Sequence, residues 1–156
     1  MCEYCGCQAL ASVEELTREH TEALELIALG HAACRKGDGG AAVGVAERLL
    51  ALLEPHTAVE EQALFPAMAR EHPEHVAILQ GEHEQVHRAL SDFAAGATAP
   101  DWAGGLGTTL HLLREHIFKE QNGLFPAALV ELRTADWERV EAVRRDVGST
   151  LAPTAR

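Results

Sequence analysis

His56–Ala67 reads HTAVEEQALFPA, and sixty positions on, His116–Ala127 reads HIFKEQNGLFPA; six of the twelve positions are identical. Each copy carries a His and a Glu four residues apart, His56 with Glu60 and His116 with Glu120. On a helix that spacing is one turn plus roughly 40°, so both side chains share a face. A second echo lies upstream, where Glu19-His20 and Glu82-His83 precede the repeated histidines by 36 and 33 residues. The chain therefore reads as a duplicated helical hairpin. Each half presents two imidazoles and one carboxylate inward, a donor set for two metal ions.

The 156 residues make one domain with room for a core. Hydrophobic residues at 47% argue against a disordered chain, and only 4% aromatics among abundant Ala, Leu, Glu and Arg favour helices over strands. A net charge of −11 repels phosphates, so neither nucleic acid nor an anionic membrane is an expected partner. No apolar run approaches the roughly 18 residues of a membrane span. The opening MCEYCGCQ has no Lys, Arg or apolar stretch and does not read as a secretory signal. The expectation is a cytoplasmic, reducing setting in which the four cysteines are thiols or ligands.

Ser12 with Glu15 reads as the capping box of a first helix ending near Lys36, before the Gly37–Gly40 break. A second helix runs from about residue 41 to 70, with a kink or a re-capped start expected at Pro55 and Pro66. Pro73 opens a third to about residue 95, and Asp101 caps a fourth to about 132, with Pro126 inside it. Thr134 caps a short fifth to Val147. The predicted fold is all-α: an up-down-up-down antiparallel four-helix bundle, the short fifth C-terminal helix packing outside. Residues 1–11 form a Cys-rich N-terminal segment, 12–148 the helical domain, and 149–156 a frayed tail.

In this register His20, His56 with Glu60, His83, and His116 with Glu120 meet at one level of the core. His87 follows His83 by four residues and joins the expected ligands, although its counterpart in the first half is Leu24. Imidazoles with carboxylates suit iron, manganese or zinc. If Glu60 and Glu120 each bridge two ions, together with an oxo or hydroxo group, the ion on His83, His87 and His116 is six-coordinate. The ion on His20 and His56 then keeps one open position for O2, peroxide or NO. Such octahedral demand argues against zinc.

Weaker candidates stand beside these. Cys2, Cys5 and Cys7 form CxxCxC, which with Cys34 could hold zinc or an iron–sulfur cluster, against a plain structural or redox thiol role. Tyr4 could fill the open position or simply pack. Glu19, Glu61, Glu82 and Glu115 adjoin ligands, but neighbouring helical residues diverge by about 100°, so they read as solvated faces. Leu64-Phe65 and Leu124-Phe125 read as core or as an apolar wall beside the metals.

The pattern His20, His56-x-x-x-Glu60, His83, His116-x-x-x-Glu120 with its two LFP followers resembles the hemerythrin-like HHE cation-binding family over about residues 12–145. That resemblance implies a four-helix bundle around two carboxylate-bridged irons. His83 and His87 match the HxxxH pair of oxygen-carrying members. Those carriers place an Asp five residues after the last-helix His, where this chain has Glu120 after four. The resemblance implies a non-haem di-iron protein that binds and turns over a small oxidant or diatomic, O2, H2O2 or NO, with peroxidase or catalase-like chemistry and a redox partner. The alternative is a non-catalytic oxygen-, NO- or iron-responsive binding module, or an iron-handling one.

Overall fold

The computed structural model describes residues 6–96 and 99–154, and helices supply its regular elements, with no strand among these residues. The first helix, α1 (Gly6–Lys36), starts six residues before the expected Ser12 cap. Gln8 to Ala11 are good helix formers. Ala9 buries in the core and the Gln8 amide donates to Glu141 of the last helix, so this turn has partners of its own. Gly37 ends α1 at φ 68°, a left-handed conformation that glycine adopts freely, while Asp38 N–H donates to the Ala33 carbonyl at 3.0 Å. The Asp38 carboxylate then accepts from Ala41 N–H at 3.0 Å and opens α2 (Gly39–Val59).

Pro55 sits inside α2 without ending it. At Pro66 the chain re-opens a helix after a wide turn. After α2, residues Glu60–Leu64 form a π-helical turn, with Phe65 N–H donating to the Glu60 carbonyl five residues back, and α3 (Phe65–Met68) follows. Proline lacks an N–H and its ring crowds the carbonyl four residues before it; widening the turn relieves both. The pattern recurs after α4 (Pro73–Ala94) and α5 (Trp102–Lys119), where a π turn at Glu120–Leu124 leads into α6 (Phe125–Glu131). Both π turns begin on the repeated Glu. The last helix, α7 (Thr134–Val147), is capped by Arg133 rather than Thr134, its N–H bonding the Asp136 carboxylate at 3.0 Å.

Helix α1 packs on α2, α2 on α4, α4 on α5, and α5 back on α1. This closed ring of four helices encloses two apolar clusters. One holds Ala23, Leu26, Ile27, Leu49, Leu52, Val86, Leu90, Leu110 and Leu113; the other Leu16, Val59, Phe65, Leu79, Phe125 and the α7 residues Trp137, Val140 and Val143. Helices α1, α2 and α4 pass from one cluster to the other with the histidine at the crossing: His20 between Leu16 and Ala23, His56 between Leu52 and Val59, His83 between Leu79 and Val86. Helix α5 stays in the first cluster, and the chain reaches the second through the π turn after His116. Helix α7 is not an outer appendage. It buries Trp137, packs on α1, α2 and the first π turn, and carries a tethered tail: Arg18 donates to the Ala152 carbonyl at 2.8 Å.

Candidate metal centre

Two groups of donor atoms lie between the clusters, one from His20, His56, Glu60 and Glu120, the other from Glu60, His83, His116 and Glu120; within each, all donors lie within 4.8 Å of one another. Glu60 turns Oε1 toward His56 Nε2 (3.3 Å) and Oε2 toward His83 Nε2 (3.2 Å). Glu120 turns Oε2 toward His20 Nε2 (3.0 Å) and Oε1 toward His116 Nε2 (2.9 Å). Each carboxylate therefore offers one oxygen to each histidine pair. Adjacent ligands of an ion bound at about 2.1 Å stand about 3.0 Å apart, so these separations suit donors to a metal cation.

The polar atoms fit a cation better than they fit each other. His20 Nδ1 and Nε2, His116 Nε2 and all four carboxylate oxygens of Glu60 and Glu120 are buried without a hydrogen-bond partner among the described residues. Close as they are, these groups are not aligned as hydrogen bonds. Leaving a buried donor or acceptor unmade costs about 1–3 kcal/mol, so this many at one level mark a site that a positive charge completes. The electrostatics agree. Burial opposes charge on His56, yet the Glu60 and Glu19 carboxylates push it up to about 10. His116 is likewise raised to about 9 against its burial, chiefly by Glu120. Glu60 is held well below the usual carboxylate range, the pull of His56 and His83 outweighing its desolvation. The carboxylates that would attract a cation thus also favour a proton on His56 and His116.

Behind the donors lies a second layer of carboxylates that the sequence reading assigned to solvated faces. His56 Nδ1 meets Glu19 at 2.8 Å, His83 Nδ1 meets Glu61 at 2.9 Å, and His116 Nδ1 meets Glu82 at 2.8 Å. A carboxylate accepting the Nδ1 proton leaves the Nε2 lone pair facing the centre and makes the ring more basic. Glu19 is buried rather than solvated. Each of these glutamates serves the histidine of another element and not its own neighbour: Glu19 of α1 holds His56 of α2, and Glu82 of α4 holds His116 of α5. Lys119 in turn pairs with Glu82. His20 alone has no such partner on Nδ1 among the described residues. The repeated phenylalanines complete the cage, Phe125 stacked on His20 at 5.3 Å and Phe65 on His83 at 5.2 Å, both buried as an apolar wall.

The structure brings six of the expected ligands together and leaves His87 out. The inward stripe of α4 steps through Val76, Leu79, His83, Val86, Leu90 and Phe93, alternating by three and four. Val86 therefore follows His83 inward, while His87 is exposed and lines the cleft that opens on the site. The four-thiol cluster does not form either. Cys7 and Cys34 stand at opposite ends of the continuous α1, roughly 40 Å apart at 1.5 Å per residue. Cys2, Cys5 and Tyr4 lie outside the described residues.

A cleft of about 690 Å³ runs from His56, His83 and His116 to the surface between α2 and α4, past Leu50, Leu53, Val86 and Leu113. Among the described residues no helix is long and apolar enough to cross a membrane. Compared with known proteins, the hemerythrin HHE cation binding domain model matches residues 11–128. No curated relative and no solved structure matches the chain.

Proposed function

The chain belongs to the hemerythrin HHE cation-binding family, and from that premise we propose that it is a di-iron protein that binds and turns over O2, peroxide or NO. The observation that carries the reading is the paired orientation of Glu60 and Glu120, one oxygen toward each histidine pair. His20 and His56 would hold one ion and His83 and His116 the other, with Glu60 and Glu120 available to both. The two-residue turn between α1 and α2, and the opposite order in which α1, α2 and α4 successively traverse the two apolar clusters, support the up-down-up-down arrangement.

When bound, paired irons supply one-electron redox steps and a position that accepts a small oxidant. The chain's own residues do the rest. Glu19, Glu61 and Glu82 fix three imidazoles with Nε2 inward. Phe65 and Phe125 wall one side of the site, and the cleft admits a small molecule from the other. With His87 outside, each ion has four protein donors. Iron reaches six-coordination only with added ligands, whereas zinc would close a tetrahedron and leave no position for one. That difference favours iron for a ligand-binding centre.

Metal analysis of the natively loaded protein should give close to two irons per chain, with near-ultraviolet charge-transfer absorption. One iron, or stoichiometric zinc, overturns the reading. Anaerobic reduction followed by optical titration with O2, peroxide and NO then separates the chemistry. Turnover far above the iron content marks an enzyme with a redox partner, and stoichiometric uptake alone marks a binding protein. His87→Leu should keep both irons and an unchanged spectrum, since the side chain faces the cleft. Loss of an iron would return His87 to the ligand set.

A further inference from the structure

Glu19 is the most heavily held side chain near the centre. Besides His56, its Oε1 accepts from Arg144 at 2.8 Å and Ser149 at 2.7 Å, and its Oε2 from Arg144 at 2.9 Å. Arg144 also donates to the Gly148 carbonyl at 2.9 Å, and Ser149 Oγ accepts from Leu151 N–H at 3.2 Å. Gly148, at φ 72° and ψ −156°, turns the chain so that Ser149 comes back over α1; a side chain there would be strained. Arg144 is only 14% exposed and Glu19 1%. All of these contacts come from α7 and the turn after it, beyond the residues 11–128 that the family model covers.

We propose that Arg144 and Ser149 are positioning residues for the His20–His56 ion, acting through Glu19, and that the C-terminal arm thereby makes the two metal positions unequal in how firmly they hold their ions. The proposal rests on the paired-metal reading above. A buried carboxylate without a cation would desolvate at high cost and could rotate away from His56. The bidentate guanidinium holds it charged and in plane. Glu19 then keeps the His56 Nδ1 proton and leaves Nε2 for metal. The other ion needs no such arm, because Glu61 and Glu82 each face one of its two histidines. At the first position His20 Nδ1 has no partner among the described residues, so of the described carboxylates Glu19 is the one that steadies the pair, and the arm is its anchor.

The test is chelator-driven release from the fully loaded protein, followed as two kinetic phases. In Arg144→Ala one of the two ions should leave about tenfold faster or more, the effect expected when a hydrogen-bond partner of a ligand is lost, while the other leaves at the parental rate. Arg144→Lys, which restores the charge but not the fork, should recover part of the retention. Ser149→Ala should show the same phase accelerated to a smaller degree, which covers the case in which Arg144→Ala does not fold. Arg145→Ala is the control: that side chain is 68% exposed and pairs with Glu141 on the surface. A second readout is the His56 Nδ1–H proton resonance in the zinc-exchanged protein, which should be lost or shifted in Arg144→Ala and unchanged in Arg145→Ala. Two ions released at parental rates, or both accelerated equally alongside a drop in Tm, would overturn the proposal and leave the paired site standing. A parental protein that never takes up a second ion would overturn both.

Discussion

Glu120→Ala is expected to empty both metal positions, and Glu60→Ala to do the same, with metal content falling from about two ions per chain toward zero rather than to one. Each carboxylate gives one oxygen to each histidine pair, at 3.0 and 2.9 Å for Glu120 and at 3.3 and 3.2 Å for Glu60. Removing one takes a ligand from both ions and the shared negative charge that screens their mutual repulsion. Both residues are fully buried, so no solvent-exposed side chain stands in. A histidine is different: His20→Ala takes a donor from one ion only, and a half-loaded species should accumulate. Metal analysis after anaerobic reconstitution decides the matter. A Glu120→Ala protein that still holds two ions would show that the carboxylates do not bridge.

The donor set was legible in the sequence because helical periodicity is local. His56 with Glu60 and His116 with Glu120 need only 3.6 residues per turn, and the duplicated LFP fixed their relative register. What lay out of reach depended on how helices face one another. Glu19, Glu61 and Glu82 point away from their own neighbouring ligands, and only the packing of α1 on α2, of the first π turn beside α4, and of α4 on α5 shows that they meet a histidine across the seam. His87 fails for the opposite reason. Its spacing from His83 is right for one face, but Val86 takes the inward place at the next turn of the α4 stripe. Pro66 and Pro126 announce an irregularity without its form, since a kink and a π turn both relieve a missing N–H. The role of Arg144 in anchoring Glu19 spans 125 residues and has no local signature.

Stripping the metal should lower Tm by about 10–20 °C. Saturating each of two sites at 100 times Kd contributes about 2.7 kcal/mol, about 5 kcal/mol together, and a chain of this size shifts by roughly 2–4 °C per kcal/mol. The stripped protein should also depend on pH in a specific way. His56 and His116 are raised from an ordinary value of about 6.5 to about 10 and about 9 by the carboxylates they face. Groups with raised values contribute stability that is complete below the ordinary value and lost as pH climbs through 9 and 10. Glu19, Glu60 and Glu82 are lowered, despite burial, by their imidazole and cationic partners. Their contribution is present above the ordinary carboxylate range and lost as acid protonates them. Stability of the stripped protein should therefore peak between slightly acid and neutral pH and fall toward pH 10. Metal reverses the alkaline limb, because protons compete with ions for the same Nε2 atoms and that competition fades as pH rises. The Tm gap between loaded and stripped protein should accordingly widen from pH 6 to pH 9. A gap that narrows over that range, or stripped protein that gains stability toward pH 10, would mean that these imidazoles are not charge-paired with Glu60 and Glu120 in the empty cage.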